Sequence, residues 1–460
     1  MFRKITITLA SSLLIFSCKK DDVVKPETPT GPVTQREINN WVLDSMRYFY
    51  LWNNTLPAAA DTQPSATEFL SRIKNTADRF SVIYRQDDPS SFPKYMLYSF
   101  GIAYSIIAYP TAPGGAIGVI NLVVPGSTPA SQGLQRGQYF TAINGNTLTT
   151  ANAATLSQEM LNANSAILTM ATADGTTVTK GEDIPLIAKS IREQPVYKQS
   201  IQKVNNKTVA YLFYNAFDDN YNAGLINAFQ QFKTAGATEL ILDLRYNPGG
   251  SVAGAALLNA LIAPGINEGS IFAKYSGNNN MGQRTVTYKA TLAVPESGGP
   301  ISFSSLSPNR LSLQRVFILS GPQTASAAEL TINTLKPYMQ VVQIGLGTLG
   351  KDKAAVIIND MRSPKRILYT LLPLTYNLAN AKGEGGYIDG ITPDYRIDEL
   401  SHLPLLPIGD MNDPLIAKAI SLISGGGRQQ PYPETIVQRH FDSQAAVAGG
   451  NILKIPAGLR

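Results

Sequence analysis

The chain has 460 residues, with 39 Lys+Arg against 33 Asp+Glu for a formal charge of +6, and it holds only two histidines and one cysteine. At 44% hydrophobic and 16% charged it is too apolar for a disordered chain and long enough for two or three domains, each with its own core. One cysteine excludes an internal disulfide, a four-thiolate zinc site and a CxxC redox pair, and His402 and His440 form no HExxH helix, so no metal site is expected. No Lys/Arg run exceeds a pair, which leaves no basic stripe for nucleic acid.

In chain order, a basic start (Met1 to Lys4) precedes an apolar run from Ile5 to Phe16 and then Ser17-Cys18. Such a run suits the core of a signal peptide and is too short for a permanent span. Cys18 after a small residue resembles a bacterial lipobox, so residues 1–18 are expected to be a leader with lipidation at Cys18, and 19–35 an extended tether. The protein would then be a membrane-anchored lipoprotein of the cell envelope; a plain secretory signal is the alternative. Residues 36–95 read as a helical N-terminal domain running to about Asp88, with Trp41, Val42, Ser45, Tyr48, Phe49 and Trp52 near helical spacing and a second helix from Ala66 to Ala77. That aromatic face could bind a ligand; a packed core or a face for a second copy of the chain is the commoner explanation.

Residues 96–190 change to short β-rich runs. Strands are expected at Gly101 to Ile106, Ile117 to Val124 and Tyr139 to Ile143, with hairpin signals at Asn144-Gly145 and Asp174-Gly175. The stretch Gly133-Leu-Gln-Arg-Gly137 followed by Ala142-Ile-Asn-Gly145 resembles a bacterial PDZ domain, with Gln138 where that family carries Asp. The resemblance implies peptide binding by strand addition, with Phe100, Gly101 and Ile102 in the carboxylate loop. A plain β-rich spacer is the other reading.

From Thr208 the pattern is α/β. A buried strand, Leu240 to Leu244, enters Arg245-Tyr-Asn-Pro-Gly-Gly250 and a helix from Val252 to Leu261; Val316 to Ser320 repeats the construction and leads to a helix from about Ser326 to Leu335. Two such turns belong at the C-terminal edge of one sheet. Gly345-Leu-Gly-Thr-Leu-Gly-Lys351 satisfies GxGxxG and nearly a P-loop, but Asp352 stands where a P-loop needs Ser or Thr, and Ala354 to Ile358 reads as a strand where a helix is required. Nucleotide binding is therefore not expected.

Ser326 at a helix start lies where backbone amides can hold an oxyanion, and the glycine turn offers a second donor. With histidine scarce, its base would be a lysine whose pKa burial lowers from about 10.4 toward 7 or 8, at a cost of roughly 4 kcal/mol. Lys351 is the candidate; an N-cap serine and a solvated lysine are the bland alternative.

The ordered set of a helical N-terminus, PDZ-like unit, Arg245-x-Asn-Pro-Gly-Gly250, Thr324-Ala-Ser-Ala-x-Glu329, Gly350-Lys351 and Asp389-Gly-Ile-x-Pro-Asp394 resembles the carboxyl-terminal processing peptidases over about Arg36 to Ser424. The resemblance implies an α/β protease core of ClpP/crotonase type over 191–424, with flanking helices and the PDZ-like unit inserted. It implies a serine endopeptidase without cofactor, acting on unfolded or C-terminally exposed polypeptides. Ser326 matches the nucleophile, Lys351 the general base, and Ala327 with Gly249 or Gly250 the oxyanion amides. Many members orient the lysine with a Gln four residues on; here that position is Ala355, and an inactive peptide-binding protein is the runner-up. Glu329, Asp243 and Arg245 read as framework, His402 as a surface residue, and the tail 425–460 matches nothing usable.

Overall fold

The structure is a computed structural model that describes residues 31–92, 94–425 and 435–445. Cys18, the expected leader and most of the tether lie outside the described residues.

Glu239–Asp243 is buried at every position, as a strand covered on both faces must be. It sits inside a six-stranded sheet whose order is Tyr395–Arg396, Gln340–Gly345, Arg315–Ser320, Glu239–Asp243, Lys207–Tyr214 and Val196–Val204. All pairs are parallel except the last, an antiparallel edge. Alternate residues face opposite layers. Leu212, Leu242 and Ile318 join a core with the helices Asn222–Thr234, Val252–Ile262 and Ala327–Leu335, while Phe213, Ile241 and Phe317 pack against Pro414–Ile423 and against Ala103 and Leu122 of the β-rich unit. Two smaller sheets complete the core. One is antiparallel, in the order Gln283–Thr287, Ile271–Ser276, Leu374–Ala379 and Lys353–Ala355; the other runs Val82–Arg85, Tyr369–Leu372 and Ile358–Asn359.

The N-terminal helices are Gln35–Phe49, capped by Thr34, and Ala66–Ile73, capped by Ser65. Their apolar faces, with Val42, Met46, Phe69 and Ile73, are built into the core, and Trp41, Phe49 and Trp52 pack on it. The helical reading does not hold as far as Asp88. The second helix stops at Ile73, where Lys74 turns extended and the Asn75 side chain accepts from the Ala77 amide; Asp78 Oδ1 then accepts from the Phe80 and Ser81 amides, and Val82–Arg85 is a strand paired with Tyr369–Leu372.

The β-rich unit is a sheet in the order Arg439–Asp442, Ile102–Ala108, Ala116–Val123, Tyr139–Ile143, Ser165–Ala173 and Val178–Ile187, with Asn146–Thr147 folded back on Tyr139–Ile143. Both hairpin turns form where expected: Asn144 and Gly145 take φ of 50° and 77°, and Gly175 takes 92°. The tail is a correction to the sequence reading, since Arg439–Asp442 is a strand of this sheet. The architecture is thus a mixed α/β core with several sheets and an N-terminal helical region.

Candidate active site

Three neighbouring parallel strands, Glu239–Asp243, Arg315–Ser320 and Gln340–Gly345, end on one edge of the central sheet. Each runs into a loop carrying residues singled out in the sequence: Gly249 and Gly250, then Ser326 and Ala327, then Lys351. The loops are bonded to one another. The Ala325 amide donates to Asn247 O at 3.0 Å, Thr324 Oγ1 to Leu244 O at 2.7 Å, and the Leu349 amide to Thr324 O at 3.0 Å.

Ser326 caps Ala327–Leu335 with φ of 57° and ψ of −117°, a conformation that costs a non-glycine residue about 1–3 kcal/mol and is held only where its surroundings enforce it. Glu329, fully buried one turn into the helix, enforces it. Its Oε2 accepts from the Ser326 amide at 2.9 Å and the Lys351 amide at 2.8 Å, and its Oε1 from the Gly350 amide at 2.7 Å and Thr348 Oγ1 at 2.5 Å. One carboxylate therefore fixes the serine and lysine segments against each other, with four donors filling its acceptor sites. Burial pushes its pKa above the ordinary carboxylate value, against those four hydrogen bonds.

Lys351 is fully buried. Burial draws its pKa down from 10.5 to about 7; Glu329 opposes that fall, and the charge of Arg79 adds to it. Its Nζ lies 4.8 Å from the centre of the Phe80 ring. Arg79 Nη2 donates to Gly350 O at 3.0 Å and Ile388 O at 2.9 Å, tying the N-terminal region to the lysine loop. Ala355, fully buried against Leu372, offers the lysine no polar group. Two glycines of the nucleotide-like motif serve close packing: a Cβ on Gly345 would sit 2.1 Å from Ser320 O, and one on Gly350, at φ of 88°, 2.1 Å from Ile388 O. The loop runs into the strand Lys353–Ala355, so neither nucleotide motif gets its helix.

Gly249 lies against the serine. With φ of 99°, a Cβ there would meet Ser326 Cβ at 2.7 Å and the Ala327 amide nitrogen at 2.8 Å. Of the expected oxyanion donors, the Gly249 amide is committed to Asn247 Oδ1 at 2.8 Å. No bond among the described residues engages the amides of Gly250 or Ala327. A cavity of about 250 Å³ opens beside the turn, lined by Tyr98, Phe217, Asp218, Gly249, Gly250 and Ser251. Ser326 is 1% exposed, and its Oγ is buried with no hydrogen-bond partner, so the serine is occluded from solvent.

Beneath the glycine turn lies a buried charge cluster. Arg245, 2% exposed, donates to Asp243, Glu399 and Asp413, and Arg136 reaches in from the β-rich unit to Glu399 at 2.8 Å and Tyr246 Oη at 2.5 Å. Burial alone would raise Glu399, but the two guanidinium groups hold it down to about 2. Asp243 and Arg245 are framework charges, as read from the sequence, and His402 is exposed. Among the expected carboxylate-loop residues, Phe100 ends the helix Met96–Phe100 with its side chain buried, the Gly101 amide closes that helix onto Leu97 O at 3.0 Å, and Ile102 begins a strand. Gly101 therefore has no amide to spare for a ligand.

A model of peptidase family S41 matches residues 208–397, which contain all of Gly249, Gly250, Ser326, Ala327 and Lys351, and one of the peptidase S41 N-terminal domain matches residues 37–82. The chain carries peptidase family S41 domains. It is similar to a carboxyl-terminal-processing protease of Picosynechococcus sp., 28% identical over 162 residues; the match spans 35% of this chain and about a third (33%) of that relative's length. The crystal structure of a protein assigned to the S41 proteases of Bacteroides fragilis superposes with a TM-score of 0.69 at 28% identity, covering 86% of this chain and 99% of that one. The photosystem II D1 C-terminal processing protease aligns at a TM-score of 0.47 and 14% identity, over 86% of this chain and 98% of its own. Within the S41 domains the sequence reading missed Arg79 and Phe80, which meet Gly350 and Lys351 from the far N-terminal side of the chain, 271 residues separating Arg79 from Gly350, and Thr348, which bonds Glu329 19 residues away. Glu329 had a local signal, since Ser326-Ala-Ala-Glu329 has the spacing of a capping box.

Proposed function

We propose that this S41 protein is a serine endopeptidase in which Ser326 attacks the scissile carbonyl and Lys351 takes its proton and returns it to the leaving amine. The observation that carries the reading is the buried Lys351, its pKa drawn to about 7 and its loop fixed to the Ser326 segment through Glu329. The acyl oxygen would rest on the Ala327 and Gly250 amides, which have no other acceptor among the described residues. The occluded serine makes this a closed state that substrate must open. Substrates would be unfolded or C-terminally exposed polypeptides, docked on the β-rich unit, which we read as PDZ-like. Anchored through Cys18, the enzyme would work in the cell envelope.

A fluorophosphonate probe should label the wild-type chain at Ser326 and should not label Ser326→Ala, with cleavage of an unfolded substrate lost in parallel. Cleavage that survives Ser326→Ala would refute the mechanism. A lipid label that persists in Cys18→Ala would refute the anchor.

A further inference from the structure

Among the described residues of the tail, one segment pairs with a sheet. Arg439–Asp442 lies antiparallel on the edge of Ile102–Ala108, with Asp442 opposite Ser105, Phe441 opposite Ile106 and Arg439 opposite Ile107. The pairing continues through Ser443, whose amide donates to Tyr104 O at 3.0 Å while the Tyr104 amide donates to Ser443 Oγ at 2.8 Å. Phe441 packs on the core of the β-rich unit, its ring 5.6 Å from that of Tyr104, and the strand lies against the helix Ala153–Asn162. An extended segment held by main-chain bonds between a sheet edge and a helix, with one aromatic side chain set into an apolar floor, has the geometry of peptide recognition by strand addition.

The same segment also touches the peptidase core. Arg439 Nη2 donates to Asp398 Oδ1 at 2.9 Å, and Asp442 accepts from Gln323 Nε2, three residues before Ser326 in the same turn. Docking on the sheet edge is thereby joined to the loop that carries the serine.

We propose that the edge between Ile102–Ala108 and Ala153–Asn162 is a peptide-docking groove whose resident ligand is the chain's own segment 439–443. When that segment lets go, the groove takes in trans an extended polypeptide bearing an aromatic residue followed by an acidic one. The docking stands on the strand pairing; only its consequence, release of the Gln323 turn beside an occluded Ser326, rests on the peptidase reading. A tethered segment acts at an effective concentration near millimolar, so an external peptide must outcompete it.

The test is a binding measurement in full chains carrying Ser326→Ala, so that nothing is cleaved. A labelled peptide of residues 437–444, Val-Gln-Arg-His-Phe-Asp-Ser-Gln, is titrated by fluorescence anisotropy into the chain with its natural tail and into Phe441→Ala. At least tenfold tighter binding to Phe441→Ala is expected, with no binding of a control peptide whose Phe is Ala. Equal affinity for both folded proteins, or binding to neither, overturns the proposal. Should Phe441→Ala fail to fold, hydrogen exchange on the natural tail decides: excess peptide speeds exchange of the Ser443 amide and the control peptide does not, whereas no acceleration overturns the proposal. Failure of the peptidase reading appears separately, as cleavage by Ser326→Ala, and leaves these binding results intact.

Discussion

Replacing Lys351 with Met should destroy activity and stabilise the fold, and the stabilisation should depend on pH. The lysine is fully buried and its pKa falls from 10.5 to about 7. Between those values the unfolded chain holds a proton that the native chain does not, so native stability rises with pH by about 1.4 kcal/mol per unit. The buried lysine thus costs about 4 kcal/mol at pH 7 and about 2 kcal/mol at pH 9. Met is unbranched and keeps contact with Phe80 while removing the charge. In a Ser326→Ala background, which prevents self-digestion, urea unfolding should show Lys351→Met more stable by about 2–4 kcal/mol at pH 7, with roughly half that margin at pH 9. A margin unchanged between the two pH values, or a Met variant less stable at both, would refute the claim that Lys351 is held neutral by burial.

The same pKa predicts that kcat/KM climbs through about pH 7 with unit slope, so that activity at pH 6 is about a tenth of its plateau. Glu329→Gln removes a charge that raises the Lys351 pKa and two of the four acceptor contacts, so the acid limb should move to lower pH while kcat drops about a hundredfold; an unmoved limb would remove Glu329 from the lysine's environment. Gly249→Ala, with its Cβ 2.7 Å from Ser326 Cβ at φ of 99°, should abolish cleavage and lower the thermal midpoint. Glu399 is held at about 2 against an ordinary 4.5, so it contributes about 3 kcal/mol above pH 4.5 that is lost as pH falls toward 2; Glu399→Gln should unfold that much more easily at pH 7 and show a flatter acid transition.

The parts of this site that were legible in the sequence are those whose signal is local. Leu240 to Leu244 and Val316 to Ser320 announce buried parallel strands by nearly unbroken apolar runs, which places their following turns at one edge of a sheet; that the two strands are neighbours, and that Gly249 therefore lies against Ser326, is what the structure adds. Lys351 was a candidate because histidine is scarce, but its local sequence left a solvated loop lysine open, and the ordered motifs of the processing peptidases singled it out; the structure buries it. Arg79 and Phe80 were invisible because nothing local distinguishes an arginine that bonds Gly350 and Ile388 from one that faces water; 271 residues separate Arg79 from Gly350. Val82–Arg85 was misread because four residues are too few to show a period, and its partner Tyr369–Leu372 lies far away in sequence. The tail was missed for the same physical reason. Arg439–Asp442 contains a single large apolar residue, Phe441, and has strand character only because Ile102–Ala108 offers an open edge. A segment that depends on its host for its structure is one that a competing peptide can replace, which is why the sequence's silence about the tail and its proposed role as a displaceable ligand have one cause.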